Sequence, residues 1–156
     1  MSSTDVINAP PQTVRVRVPA GAAHALCRLG PTRNGTIAAT VEVLGRRIEI
    51  ETPEDGPVLF PTDVGLTLLS ALNADPGLPV AGARALDIGC GSGLYTVALA
   101  SAGAAHVTAL DVNPACAEVT RDNASRNGIS PAQAATIVGD LAELAVPEPW
   151  DLGRVS

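Results

Sequence analysis

Val14, Val16 and Val18 alternate with Arg15 and Arg17, the period of a strand with one buried face. Residues 1–13 are polar, end in Pro10-Pro11 and read as a loose tail. Residues 19–35 are rich in Gly and Ala and carry no clear period. Alternation returns at residues 36–51, which predict a β-hairpin. With Gly45-Arg46 as a two-residue turn, Val43 falls opposite Ile48 and Val41 opposite Ile50, all on one face; Gly at the first turn position suits type II′. Glu42 then faces Glu49, a small repulsion that implies a wet outer face. The turn-rich run 52–57, TPEDGP, marks a boundary. The expected organisation is a β-rich segment over 1–57 and a second unit over 58–156.

From Phe60 the period lengthens. Val64, Leu68 and Leu72 lie four apart with Leu69 beside them, which predicts an amphipathic helix capped by Thr62, with Asp63 in its first turn. The run 75–82, DPGLPVAG, ends it. Units then alternate: strand 84–88, helix 93–102, strand 106–110, helix 114–127, strand 135–138. Asn113-Pro114 is a helix start, and Gly103 and Gly128 fit helix ends. Strands alternating with helices of this length imply right-handed βαβ units, a parallel Rossmann-like sheet with flanking helices, and an α/β class. The window 94–112 is apolar enough to suggest a membrane span, but Gly103, His106 and Asp111 interrupt it. A short helix, a turn and a short strand explain it better.

Composition narrows the function classes. AVILMFWYC residues make up 46% of the 156, a globular value, yet Phe60, Tyr95 and Trp150 are the only aromatics. An aromatic platform for stacking single-stranded nucleic acid is therefore not expected. The net charge is −6, and all of it falls in residues 61–156, which hold four Arg and ten acids. That balance argues against a dedicated polyanion surface there. Arg46 and Arg47 at the hairpin tip are read as a solvated turn. Cys27, Cys90 and Cys116 are odd in number and widely spaced, so reduced thiols in a cytoplasmic protein are expected, with no metal centre. No secretory h-region is visible in residues 1–20.

The candidate chemistry sits where the first parallel strand ends, in Leu86-Asp87-Ile88-Gly89-Cys90-Gly91-Ser92-Gly93. Ligands of open α/β sheets bind outside the carboxyl ends of strands. Glycines there let the backbone approach closely and turn into a helix whose N-terminus offers N–H groups. The spacing is G-x-G-x-G rather than the G-x-G-x-x-G of dinucleotide sites. Asp87, two residues before the first Gly, would repel a pyrophosphate and attract an ammonium. Asp111 ends the next strand, where a carboxylate can accept from both hydroxyls of a ribose. Asp140 follows the third strand, so three strand ends each carry a carboxylate. Alone, each acid is equally well a turn or cap residue; together with the loop they point to a nucleoside site. Cys90 and Tyr95 are read as packing residues, His106 as structural, and Asp122–Arg126 as a solvent-facing i,i+4 pair.

These residues resemble the class I S-adenosylmethionine-dependent methyltransferases, most clearly over ALDIGCGSGLYTVALA (85–100) and VTALDVNPACAEVTRDNASRNG (107–128). ATIVGD (135–140) and FPTDVGLTLL (60–69) add weaker matches, bringing the resemblance to about half the chain. Within the class, the chain is similar to the release-factor glutamine, ribosomal RNA guanine-N2 and ribosomal protein L11 types. The resemblance implies S-adenosyl-L-methionine as cofactor, with Asp87, Gly89, Cys90, Gly91 and Gly93 at the methionine moiety. It places Asp111 on the ribose, Val112 or Asn113 against the adenine, and Asp140 and Leu141 at the adenine amino group and face. It implies no metal and methyl transfer to a nitrogen of a protein, RNA or small molecule. It names no catalytic residue here, because the Asn-Pro-Pro-Tyr motif that follows the family's fourth strand is absent: 149–152 resembles the run into that strand, and Gly153-Arg154-Val155-Ser156 follow.

Two expectations arise from that departure. One is a C-terminally truncated core in which the 84–88 strand is an open edge, marginally stable or covered by a partner chain. The other is a catalytically inactive cofactor-binding module as the alternative to an enzyme. A nicotinamide-dependent oxidoreductase is disfavoured by the loop spacing and by Asp87.

Overall fold

The computed structural model describes residues 27–29, 35–58, 63–74, 79–143 and 152–155. The expected 14–18 strand and the Thr62 cap lie outside them. Two sheets form. Strands β1 (Cys27–Leu29), β2 (Thr36–Val43) and β3 (Arg46–Pro53) make an antiparallel sheet in that order. After helix α1 (Asp63–Ala74) come β4 (Arg84–Ile88), α2 (Leu94–Ser101), β5 (His106–Asp111), α3 (Pro114–Arg126), β6 (Ala134–Val138) and β7 (Leu152–Val155). The last four strands form a parallel sheet ordered β6-β5-β4-β7. The alternation of apolar strands with short helices thus builds the α/β core that the sequence period predicts.

The hairpin register differs from the expected one. Val41 pairs with Ile48, Val43 with Arg46 and Glu42 with Arg47, so the turn is Leu44-Gly45. Both turn residues have positive φ, 47° at Leu44 and 72° at Gly45, as a type I′ turn requires. Two gains offset the strain of a left-handed Leu: its side chain packs against the core, and opposite charges replace the Glu42–Glu49 facing. A slip of two residues preserves the faces. Ala39, Val41, Val43, Ile48 and Ile50 all remain buried.

That buried face joins Leu66 and Leu69 of α1, Leu94, Val97 and Ala98 of α2, and Ala85 and Val107 of the parallel sheet in one apolar cluster. Strands β2 and β3 therefore share a core with the parallel sheet and its helices. In α1 the buried positions are Leu66 and Leu69, whereas Leu68, expected on the buried stripe, is 39% exposed. The amphipathic face is turned from the predicted one because β2, the element α1 packs on, meets the Leu66–Leu69 side.

The expectation of β4 as an open edge is overturned. Ala85–Ile88 pair in parallel with Leu152–Val155, so β4 is flanked on both sides. Four residues suffice for that ladder, and the segment expected only as a run toward the family's fourth strand forms a strand at Leu152–Val155. The order reverses between β4 and β7, which puts the topological switch point at the end of β4, where the glycine loop begins.

Candidate functional site

The loop after β4 is held from below by its neighbour strand. Gly89 and Cys90 N–H groups donate to the Leu110 carbonyl at 2.8 and 3.1 Å, and Gly93 N–H closes a turn onto the Cys90 carbonyl at 2.7 Å. Gly93 has φ 80°, and a Cβ there would stand 2.9 Å from Thr120 atoms of α3. No other residue type fits that contact. Gly91, at φ 52°, has no such crowding: the nearest atom to an added Cβ would be the Gly89 carbonyl oxygen at 3.9 Å. The loop is thus packed tightly on its helix side and open at Gly91.

The three acids have different environments. Asp87 is 4% exposed. Its Oδ2 accepts from the Thr96 N–H at 3.0 Å and the Thr96 hydroxyl at 2.6 Å, fixing the first turn of α2. Burial raises its pKa above the ordinary carboxylate value; the Thr96 bonds oppose that rise, and the nearby Asp111 charge adds to it. Asp111 is half-buried at the end of β5. It accepts the Gly91 N–H on one oxygen at 3.0 Å and the Asn113 N–H on the other at 2.9 Å. A carboxylate offers about four acceptor sites, so capacity for a further donor is left beside these bonds and the Cys116 thiol. Asp140 is exposed and its Oδ1 accepts from the Ala142 N–H at 2.9 Å, a local turn.

The apolar candidates lie at the same sheet edge. Val112 is 69% exposed, Val138 52% and Leu141 40%. Val112 follows β5, Val138 ends β6 and Leu141 lies in the turn after it, and exposed apolar side chains at strand ends suit a flat, uncharged ring. Asn113 is committed elsewhere: its side chain caps α3 by accepting the Ala115 N–H at 3.0 Å, and its Nδ2 reaches the Pro57 carbonyl at 3.4 Å. Cys90 turns inward, with its Sγ 3.3 Å from the Thr120 hydroxyl oxygen, and burial pushes the thiol up to about 12. Tyr95 ties α2 to α1 through a bond from its hydroxyl to the Gly65 carbonyl at 2.8 Å. His106 contacts the Ala132 carbonyl at 2.8 Å, a structural role.

Residues 85–153 match the family model described as a methyltransferase domain. This segment is a methyltransferase domain. It carries the glycine loop, Asp111 and Asp140, the three features that its architecture gathers at one edge of the sheet. Ribosomal protein L11 methyltransferase of Pseudomonas paraeruginosa is 40% identical over 79 residues, covering 51% of this chain and 27% of that protein. The Azotobacter vinelandii protein of the same name is 37% identical over 102 residues, 57% of this chain and 35% of that one. The chain thus spans about a third or less of the curated relatives it matches. A solved structure from Streptococcus mutans, assigned to the SAM-dependent methyltransferases, superposes with a TM-score of 0.53 at 18% identity. It covers 73% of this chain and 29% of that one. That likeness shows the α/β fold alone.

The methyltransferase domain also uses residues that sequence reasoning passed over. Asn123 is 1% exposed and bonded to both β3 and the loop. Asn127 bonds to β3. Thr120 donates to the Gly91 carbonyl at 3.2 Å. Arg126, expected to pair with Asp122, reaches Glu51 at 2.7 Å instead. The signal available in sequence was the spacing Thr120, Asn123, Asn127, one face of a helix.

Proposed function

We propose that residues 58–156 bind S-adenosyl-L-methionine and that the whole protein transfers its methyl group to an acceptor nitrogen. The observation that carries this reading is the junction of Gly91 and Asp111: a loop amide bonded to a carboxylate that keeps acceptor capacity, beside the bared Val112. The methionine moiety lies along the backbone of Gly89, Cys90, Gly91 and Gly93, whose N–H groups are already bonded within the chain, and Asp87 supports them from beneath by holding Thr96. Asp111 accepts from the ribose. Val112 and Leu141 flank the adenine, with Asp140 beside its amino group and Asn113 fixing the helix after it. Carboxylates around the site favour a cationic ligand.

When bound, the cofactor supplies an activated methyl group. The residues present align it and exclude water. The relatives' name puts a ribosomal protein among the acceptor classes, beside RNA and small molecules. Among the described residues no helix is long and apolar enough to cross a membrane, and buried free Cys90 and Cys116 suit the reducing cytoplasm. Calorimetric titration with S-adenosylhomocysteine and with NAD tests the cofactor. Binding of the first alone is expected, and binding of NAD alone overturns the reading. Transfer of a labelled methyl group into cell extract tests the activity.

A further inference from the structure

We propose that Asn123 is a positioning residue for the cofactor loop and that it links the loop's geometry to the seating of β3. The inference rests on the reading that the loop holds the cofactor. Asn123 lies in α3, one turn beyond Thr120, and is 1% exposed. Its Oδ1 accepts the Glu51 N–H at 2.9 Å, and its Nδ2 donates to the Glu51 carbonyl at 2.8 Å and to the Ser92 carbonyl at 2.9 Å. One amide group therefore grips the outer edge of the antiparallel sheet and the middle of the glycine loop at once.

The consequence for the loop is geometric. A trans peptide points its N–H opposite its C=O. Thr120 pulls the Gly91 carbonyl toward α3, which turns the Ser92 N–H away from the helix. Asn123 pulls the next carbonyl the same way and so aims the Gly93 N–H, which closes onto the Cys90 carbonyl at 2.7 Å. The loop conformation is set by two side chains of one helix, neither of which is among the proposed ligand contacts. Because the Asn123 amide is planar and shared, a shift of β3 moves the loop. Asn127 is the built-in comparison: its amide hydrogen-bonds to Glu49 and to the Asn123 carbonyl rather than to the loop.

The test uses the full chain and S-adenosylhomocysteine. Asn123→Ala and Asn123→Asp should weaken its binding by about tenfold or more, the scale of one lost buried hydrogen bond, while Asn127→Ala leaves it within about twofold. The amide NMR signals of Gly89, Gly91 and Gly93 should move in the Asn123 variants and stay in place in Asn127→Ala. Asn123→Asp keeps the volume and the acceptor for the Glu51 N–H but sets a second oxygen against the Glu51 and Ser92 carbonyls, so it disturbs the loop as the alanine variant does. In the unmodified protein the Asn123 side-chain NH2 signals should shift as ligand is added while those of Asn127 do not, a readout that needs no variant. Equal effects of the two asparagines on binding and on the glycine signals, or equal response of their side chains, would overturn the proposal. Absence of ligand binding by the unmodified protein would instead defeat the cofactor reading, and the glycine signals would still decide the role of Asn123.

Discussion

Asn127 meets the backbone of Glu49 as a neighbouring strand would, accepting its N–H at 2.9 Å and donating to its carbonyl at 2.7 Å. Asn123 repeats the pattern two strand residues further on, at Glu51. Residues four apart on a helix meet residues two apart on a strand because both spacings run close to 6–7 Å. The edge of β3 is covered by side-chain amides instead of another strand, which answers the exposure that edge strands otherwise carry. Asn127→Ala should lower unfolding free energy by about 1–2 kcal/mol, the scale of its three largely solvent-accessible hydrogen bonds. Urea denaturation checks it, and an unchanged midpoint would show the pairing to be incidental.

Gly93→Ala should destabilise far more than a usual surface change. The added Cβ would meet Thr120 at 2.9 Å and sit at φ 80°, so strain and overpacking combine to about 2–4 kcal/mol. Gly91→Ala strains only the backbone, since nothing crowds its Cβ position. The order of the two melting temperatures, Gly93→Ala well below Gly91→Ala, is the expected outcome.

Much of the parallel sheet was legible because each strand and helix there keeps one clean period between strong boundary signals. The strand predicted at 84–88 is Arg84–Ile88, and the Asn113 cap stands where Asn-Pro placed it. The hairpin register was less legible, since a two-residue slip leaves Val41, Val43, Ile48 and Ile50 on one face. The helical face at 63–74 was misplaced because Leu66, Leu68 and Leu69 offer two apolar stripes and only β2 selects between them. At the site, the three acids could be located by strand ends alone. The commitments of Asp87 to Thr96 and of Asn123 to Ser92 could not, because polar residues on a helix read the same whether water or backbone receives them.

The buried Asp87 makes stability depend on pH in a definite direction. Its native pKa lies above the ordinary 3.8, so the folded state holds its proton more tightly than the unfolded state. Its contribution is full below about pH 3.8 and is lost as pH rises through the raised native value. Asp87→Asn keeps an oxygen for both Thr96 donors and carries no charge to desolvate. The stability difference between variant and unmodified protein should therefore shift in the variant's favour as pH rises through that window. Urea midpoints measured across about pH 4–8 check it; a difference moving the other way would contradict the burial argument.

Cys90 should resist alkylation. A rise from 9.0 to about 12 reduces the thiolate about 1000-fold at neutral pH, and the thiolate is the reactive form. Peptide-level mass spectrometry after iodoacetamide treatment of the folded protein should find Cys90 unmodified until urea is added. Rapid labelling in buffer alone would mean that the loop opens.

Calorimetric titration of S-adenosylhomocysteine into the unmodified chain and into Asp111→Asn tests the central claim most directly. The amide variant can still accept from Gly91 but offers one oxygen where the carboxylate offers two. The account predicts saturable one-to-one binding by the unmodified protein and at least about a tenfold loss in the variant, the scale of a hydrogen bond to a charged group, with circular dichroism unchanged. No heat of binding from the unmodified protein, or equal affinity in both, would contradict it.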